Sequence, residues 1–342
     1  MVLAVRCSRP PGPALAAALE GRAWRAEPDA WDLWLPVPKE PLTQALRDLM
    51  PPSAAAVVGA VPGAERLAGK RSLWATLVNA HGRAVANTIQ PPGWLPDVLA
   101  DATAFAAVPP GRFLVKDSLL QRRRGIHLAE SWEEALDVAA SLHKPLIQRL
   151  VPDVLAVSGH RISLRVYLLL VREPGVVAAF VHGWGAVVYA RAQATEDAGA
   201  DGWLATTSGN WLGPPGAPLE LQGLFEHLRQ QQQDPGSLAS GIARGLRAAV
   251  SAAAPHLARD RTLAGQRCFE LLGADFVPDQ HGVPWLVEIN RKPMMRPRVP
   301  SELAPRAGVW ADALAGAGLG AGEGGSGFVP LGRWAVTPPA AG

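Results

Sequence analysis

The sequence predicts a mixed α/β protein, and three stretches carry that expectation. The opening, residues 1–35, runs from an apolar segment through a proline-started helix to a second apolar segment, which is a βαβ start. The middle alternates short apolar runs with amphipathic helical periodicity. The last third holds two alternating runs around Asp279-Gln280-His281-Gly282, a polar turn, which makes an antiparallel hairpin.

Taken in order, Val2-Leu3-Ala4-Val5 reads as a buried strand, Pro13 to Leu19 as a short helix and Trp31-Asp32-Leu33-Trp34-Leu35 as a second strand. This N-terminal α/β lobe, 1–65, ends in the Pro/Gly/Ala-rich passage from Pro51 to Gly63. A central lobe, 66–158, starts with a helix around Leu73–Leu77 and a proline-rich link near Pro91–Pro96. Two strands follow, Arg112 to Lys116 and Gly125 to Leu128, joined by a basic loop. Ser131 caps the next helix and Glu134 completes its capping box; the helix runs to about Leu142, and Pro145 to Arg149 is another strand. A C-terminal lobe, 159–314, takes strands at Ile162 to Val171 and Val176 to Val181, helices near Glu220–Gln232 and Leu238–Ala252, and the closing hairpin. The Gly/Ala/Pro-rich residues 315–342 read as a mobile tail in which Phe328 and Trp334 are the side chains able to dock.

Composition narrows the function. Hydrophobic residues at 48% and charged residues at 18% suit a globular chain rather than a disordered one. No apolar run approaches the ~20 residues of a membrane span. Two cysteines, Cys7 and Cys268, cannot build a disulfide framework and point to a reducing compartment. Met1 to Arg25 has the alanine- and arginine-rich composition of a transit peptide, yet the βαβ start needs those residues in place, so a cytoplasmic, unprocessed chain is expected. Net charge is only +3, but basic residues cluster at Arg122-Arg123-Arg124 and at Arg291, Lys292, Arg296 and Arg298, patches suited to phosphates or an acidic peptide. No aromatic-interleaved basic motif reads nucleic acid. His127, His143, His160 and His182 lack metal-ligand spacing, and no Gly-x-Ser-x-Gly elbow marks a hydrolase.

The chemistry concentrates in the hairpin. With Pro278 facing Val283, Asp275 faces Leu286 and Gly273 faces Glu288, and alternation gathers Asp275, Glu288 and Asn290 on one face. The carboxylates then sit diagonally, about 7–8 Å apart at the backbone. Such oxygen donors suit Mg²⁺ shared with substrate phosphates. Lys116, at a strand end before a basic loop and Gly125, is placed for a lid over phosphates. Arg161, Ser163, Arg165 and Tyr167 share one strand face, which projects two bidentate guanidinium groups together. Gly63 to Arg71 fails as a Walker A loop: its first glycine is one residue too far from Gly69-Lys70, and Arg71 stands where Ser or Thr should be. It reads as a helix start without a nucleotide role.

Together these pieces resemble the tubulin–tyrosine ligase-like family of the ATP-grasp superfamily, over roughly residues 1–300. The family runs Gln-Lys-Tyr and, nine residues later, Gly-Arg-Lys-Phe-Asp-Leu-Arg; Gln148-Arg149-Leu150 and Gly159-His160-Arg161-Ile162-Ser163-Leu164-Arg165 keep that spacing. Its Phe-Asp strand and Trp-Leu-x-Glu-x-Asn strand match Asp275, Glu288 and Asn290, and Lys116 with Arg124-Gly125-Ile126 is similar to its lysine and Arg-x-Gly-x-Gly-Ile loop in shortened form. The resemblance implies an ATP-grasp fold with ATP between the central and C-terminal lobes. Lys116 and Arg161 would contact phosphates, with Arg124 and Gly125 in the loop above them, and Gln148, Arg149 and Leu150 would meet the adenine. Asp275, Glu288 and Asn290 would bind the Mg²⁺ that carries the nucleotide, and Arg165 would face the γ-phosphate. The implied reaction is amino-acid ligation through an acyl phosphate to a protein or peptide carboxylate, an acidic tail such as tubulin's among them. Neither nucleic acid nor membrane is an expected partner. The chain departs from the pattern at Ser163, in place of an acid, at Ala186, in place of an arginine, at Asp117, in place of a proline, and at Leu204-Ala205-Thr206, which only echoes Leu-Thr-Asn. These departures keep two further readings open: a nucleotide-binding module without turnover, and a ligase of the same fold acting on a small peptide or metabolite.

Overall fold

Among the described residues, two β-sheets, one of ten strands and one of four, organise the chain. The computed structural model describes residues 2–20, 24–36, 51–98, 108, 110–119, 125–195, 212–257, 263, 265–319 and 327–336. The larger sheet begins with β1 (Leu3–Cys7), β2 (Trp24–Ala26), β3 (Leu33–Leu35) and β4 (Val57–Val58), and α1 (Pro13–Glu20) connects the first two. Then comes α2 (Lys70–Ala86), followed by the smaller sheet of β5 (Gly93–Trp94), β6 (Phe113–Asp117), β7 (Ile126–Ala129) and β8 (Pro145–Arg149), with α3 (Trp132–Ala140) between the last two. The larger sheet resumes with β9 (Ala156–Val157), β10 (His160–Glu173) and β11 (Val176–Tyr189). Helices α4 (Leu221–Gln230) and α5 (Pro235–Leu257) precede β12 (Arg267–Pro278) and β13 (Pro284–Asn290), and α6 (Leu303–Leu314) leads to β14 (Phe328–Ala335). The α/β class expected from the sequence is the one the chain adopts.

The long strand β10 is central, between β11 and β12, and its sequence explains why. Leu164, Val166, Leu168 and Leu170 point into a core shared with Leu246, Ala249 and Val250 of α5. The alternate residues Tyr167, Leu169 and Val171 enter a second core with Leu19 of α1 and Val309, Ala313 and Leu314 of α6. A strand apolar on both faces must be covered on both, and helices do so here. The N-terminal part of the second face carries Arg161, Ser163 and Arg165. The functional face and the core face are thus two ends of one strand surface.

The N-terminal strands do not close on themselves. Order β2-β1-β3-β4 is parallel throughout, and β4 continues in parallel into Arg267-Cys268 of β12, so the first lobe and the C-terminal strands share one sheet. The smaller sheet, order β5-β8-β6-β7, is antiparallel and encloses its own core of Trp94, Phe113, Val115 and Ile147 under α3. The Ser131 hydroxyl accepts from the Glu134 N–H at 3.2 Å, and the Glu134 carboxylate reaches back to the Glu130 N–H at 2.8 Å, a capping box shifted by one residue on its return bond.

The expectation of a mobile tail from residue 315 is corrected. Phe328–Ala335 forms the edge strand β14 against β11, and Phe328 and Leu331 are buried. The signal was concealed because Pro330 and Gly332 interrupt the alternation; at Pro330 the register shifts, which accommodates a residue without an N–H. No helix among the described residues is long and apolar enough to cross a membrane.

Candidate functional site

Three neighbouring strands bring one side chain each to a common row. Arg165 of β10 stands opposite Asp275 of β12, and Asp275 stands opposite Glu288 of β13. The guanidinium grips both carboxylate oxygens of Asp275, Nε to Oδ1 at 2.5 Å and Nη2 to Oδ2 at 2.9 Å. The Asn290 amide donates to Asp275 Oδ2 at 3.3 Å, which turns its own carbonyl oxygen away and leaves that oxygen as an acceptor.

The register differs from the one read from the sequence, which set Asp275 against Leu286. Asp279 pairs with Val283 through a turn in which Gly282 has φ +78°, so Pro278 faces Pro284 rather than Val283. The Asp279 carboxylate holds this turn by accepting from the N–H groups of His281 and Val283 and from the Trp285 indole. A second irregularity lies at Val287, which has no partner across the ladder: Phe276 faces Leu286 while Asp275 faces Glu288. Without that bulge, Glu288 would lie on the face of Leu286, inside the core. The three donors share a face as expected, but a bulge puts them there, and the acids are directly opposed rather than diagonal.

The smaller sheet and the start of α2 each supply one facing cation. Lys116 of β6 and Gln148 of β8 lie diagonally on one face, and the ammonium donates to Gln148 Oε1 at 2.6 Å. Burial, with Lys70 nearby, pulls the Lys116 pKa down to about 8, and Glu288 opposes that fall. Lys70 begins α2 and sits 3.8 Å from Glu288 Oε1. It arrives there because Gly69, at φ +86°, donates its N–H to the Ile289 carbonyl at 3.2 Å, tying the helix start to β13. The sequence reading gave this helix start no role; its link to Ile289 spans 220 residues and leaves no local mark. Burial raises the Glu288 carboxyl pKa and Asp275 adds to the rise, against the pull of Lys70, Lys116 and Arg165. For Arg165 burial acts downward, but Asp275 outweighs it and the net shift is upward.

The remaining expected residues are dispersed around this row. Arg161 is buried four residues along β10, about 13 Å of strand from Arg165, and donates to the Thr195 carbonyl. Burial and the nearby Arg112 lower its pKa. Gln148 and Leu150 are buried, while Arg149 turns outward to the Pro110 carbonyl at 3.3 Å. Gly125, at φ +66°, closes the β6–β7 connection by accepting from the Asp117 N–H at 2.7 Å. Arg124 and the Leu204-Ala205-Thr206 segment lie outside the described residues. Ser163 is buried on the Arg165 face, and Ala186 of β11 is the residue opposite Arg165.

Sequence reasoning also missed an ion pair beneath the row. Glu270 is buried, accepts from the Val61 N–H at 2.9 Å and is gripped by Arg291 at 2.6 and 2.8 Å. It joins the N-terminal strands to the residue that follows Asn290.

Chemically, the row offers two opposed carboxylates, one amide oxygen and three cations around them. No cluster of three or more His, Cys, Asp or Glu among the described residues could hold a metal by itself. Two acids and an amide nevertheless match a hard ion that keeps waters or phosphate oxygens in its remaining positions. The raised carboxyl of Glu288 marks a place where a further positive charge is favoured.

Residues 214–316 match the Tubulin-tyrosine ligase family model. Over 101 residues the chain is 38% identical to Tubulin monoglycylase TTLL3 of Mus musculus, covering 30% of this chain and 11% of that protein. Over 76 residues it is 37% identical to Protein monoglycylase TTLL8 of Mus musculus, covering 22% of this chain and 9% of that protein. The chain therefore spans about a tenth of the length of the curated relatives it matches. Asp275, Glu288 and Asn290 fall inside the matched segment, whereas Lys70, Lys116, Gln148 and Arg165 fall before it. Over that segment, the chain is similar to the tubulin-tyrosine ligase family.

Proposed function

We propose that the chain is an ATP-dependent carboxylate–amine ligase that adds an amino acid to a protein or peptide carboxylate. The observation that carries this reading is the opposition of Asp275 and Glu288 across β12 and β13, with Lys70 at the start of α2 beside Glu288 and Lys116 of the smaller sheet close enough to act on it. Asp275, Glu288 and the Asn290 carbonyl oxygen would hold Mg²⁺, which when bound neutralises polyphosphate charge. Lys116 and Lys70 hold phosphate oxygens, and the buried Gln148 fixes the Lys116 ammonium. Gln148, Arg149 and Leu150 border the base. Arg161, Arg124 and Gly125 also act on the phosphates. Arg165 stays charged at every working pH and faces the γ-phosphoryl group as charge moves onto its oxygens.

An acceptor carboxylate oxygen attacks the γ-phosphorus and the bond to the β-phosphate oxygen breaks, giving an acyl phosphate and ADP. The amino group of the incoming amino acid then attacks the acyl carbon, phosphate leaves, and the nitrogen loses a proton to become an amide. The positive row answers the repulsion between a carboxylate and a polyphosphate. The glycylase names of the two relatives make glycine the first amino acid to try and a tubulin tail the first acceptor.

A second reading, a nucleotide-binding module without turnover, has its own support. Ala186 leaves Arg165 without a cationic neighbour at the position opposite it, Ser163 brings no carboxylate, and both Asp275 oxygens are engaged by Arg165. The test is incubation with ATP, Mg²⁺, an acidic tail peptide and labelled glycine, glutamate or tyrosine. ADP release that depends on the amino acid, with label entering the peptide, supports ligation. Mg-ATP uptake without turnover on any acceptor, protein, peptide or small molecule, favours the module.

A further inference from the structure

A cavity of about 370 Å³ lies beside the row but outside it. The loop after β1, the end of β3 and the residues after β4 form its rim, and Phe269 to Leu271 of β12 form its floor. All of these are carboxyl ends of parallel strands or their continuation. In this sheet β1 lies between β2 and β3, so the chain leaves β1 to one side and returns on the other. The crevice at such a reversal, at the carboxyl ends, is where open parallel sheets take their ligands. The volume falls within the ~300–1,000 Å³ of small-ligand pockets.

Two features give the occupant's chemistry. The walls are apolar, with Pro10, Leu15, Leu35, Met295 and Trp310. Four cations also line the cavity, Arg9, Arg291, Lys292 and Arg296, against one carboxylate among the described residues, Glu270, which Arg291 already grips. Arg9 and Arg296 are exposed where they line the cavity, so an entering ligand meets positive charge there. The cavity also leads to the row. Pro293 lines it and is the atom group nearest to Gly273, the residue facing Asn290, while Arg296 also lines the small pocket bordered by Arg165.

We propose that this cavity seats an apolar side chain of the acceptor peptide while the rim cations hold carboxylates on either side of it. The acceptor is therefore an acidic segment with an apolar anchor, not an unbroken run of acids. This rests on the ligase reading above. The anchor supplies burial and the rim supplies charge complementarity, and the reacting carboxylate lies toward Arg165, one or two residues along the peptide.

The test uses the full chain and labelled peptides of equal net charge that carry Leu, Phe or Ala between glutamates, measured by fluorescence anisotropy without nucleotide. The Leu and Phe peptides are expected to bind about tenfold or more tightly than the Ala peptide. Gly12 lines the cavity, and a Cβ there meets nothing within 4 Å, so Gly12→Leu adds an apolar side chain at the cavity's edge with no clash at Cβ. Gly12→Leu should abolish the discrimination while leaving Mg-ATP binding intact; Met295→Ala, which enlarges the cavity, should shift the preference from Leu towards Phe. Equal binding of all three peptides, or discrimination that survives both variants, overturns the proposal. Normal Mg-ATP binding alongside that result would leave the ligase reading standing, whereas loss of Mg-ATP binding in the unmodified chain counts against that reading itself.

Discussion

Replacing Glu288 by glutamine should move stability and nucleotide binding in opposite directions. Lys70 Nζ lies 3.8 Å from Glu288 Oε1, an attraction of about 4 kcal/mol at an effective dielectric near 20. Even so, burial and Asp275 together outweigh Lys70, Lys116 and Arg165, because the Glu288 carboxyl pKa is raised. The sign follows from linkage. A carboxyl with a raised folded pKa contributes stability that is present at low pH and is lost as pH rises through the folded value. At neutral pH the ionised side chain is therefore worse placed in the fold than in water, and the isosteric amide removes that penalty. Glu288→Gln should unfold at the same urea midpoint or higher at pH 7, with a gain of up to about 0.5–2 kcal/mol. Its stability should also vary less with pH through the weakly acidic range. Mg-ATP affinity should fall by at least the ~10–100-fold that follows loss of a residue merely supporting a metal ligand. Urea melts between pH 5 and 8 and calorimetric titration check both arms. A variant destabilised by more than about 2 kcal/mol, or one that binds Mg-ATP like the parent, would refute the reasoning.

Other outcomes follow from the same geometry. Lys116, with its pKa pulled to about 8 by burial and Lys70, is protonated below that value, so Mg-ATP affinity should weaken above pH 8 by up to tenfold per unit. Lys116→Arg, charged throughout, should flatten this profile in the same titration, and a flat profile in the parent would contradict it. A Cβ at Gly273 meets Pro293 Cβ at 2.7 Å and Arg165 Cδ at 3.1 Å, so Gly273→Ala should lose about 1–3 kcal/mol in urea melts and weaken nucleotide binding by displacing Arg165. Asp275→Asn leaves the buried Arg165 with half its partner; because Asp275 is partly exposed, the loss should be at the low end of what breaking a buried pair costs, about 3 kcal/mol by thermal or urea unfolding.

Much of this site was legible because its signals are local. Alternation placed Asp275, Glu288 and Asn290 together in sequence pattern, and strands such as Pro145–Arg149 fall where the apolar periodicity puts them. What was hidden depends on backbone irregularity and distance. The glycine turn at Gly282 and the bulge at Val287 each shift the ladder, and their effects on the facing of Glu288 compensate, so the face was right and the register wrong. Lys70 reaches Glu288 only through the bond from Gly69 to Ile289, and Glu270 meets Arg291 only after β12 has crossed from β4 to β13. The last strand was concealed by its proline and glycine, which break alternation but are tolerated at a sheet edge.

Calorimetric titration of the chain with ATP, with and without Mg²⁺, is the most direct measurement. One saturable site that requires the ion, and that disappears in Glu288→Gln, is the expected result. Uptake that is indifferent to chelation of the ion, or no uptake by the parent chain, would contradict the account.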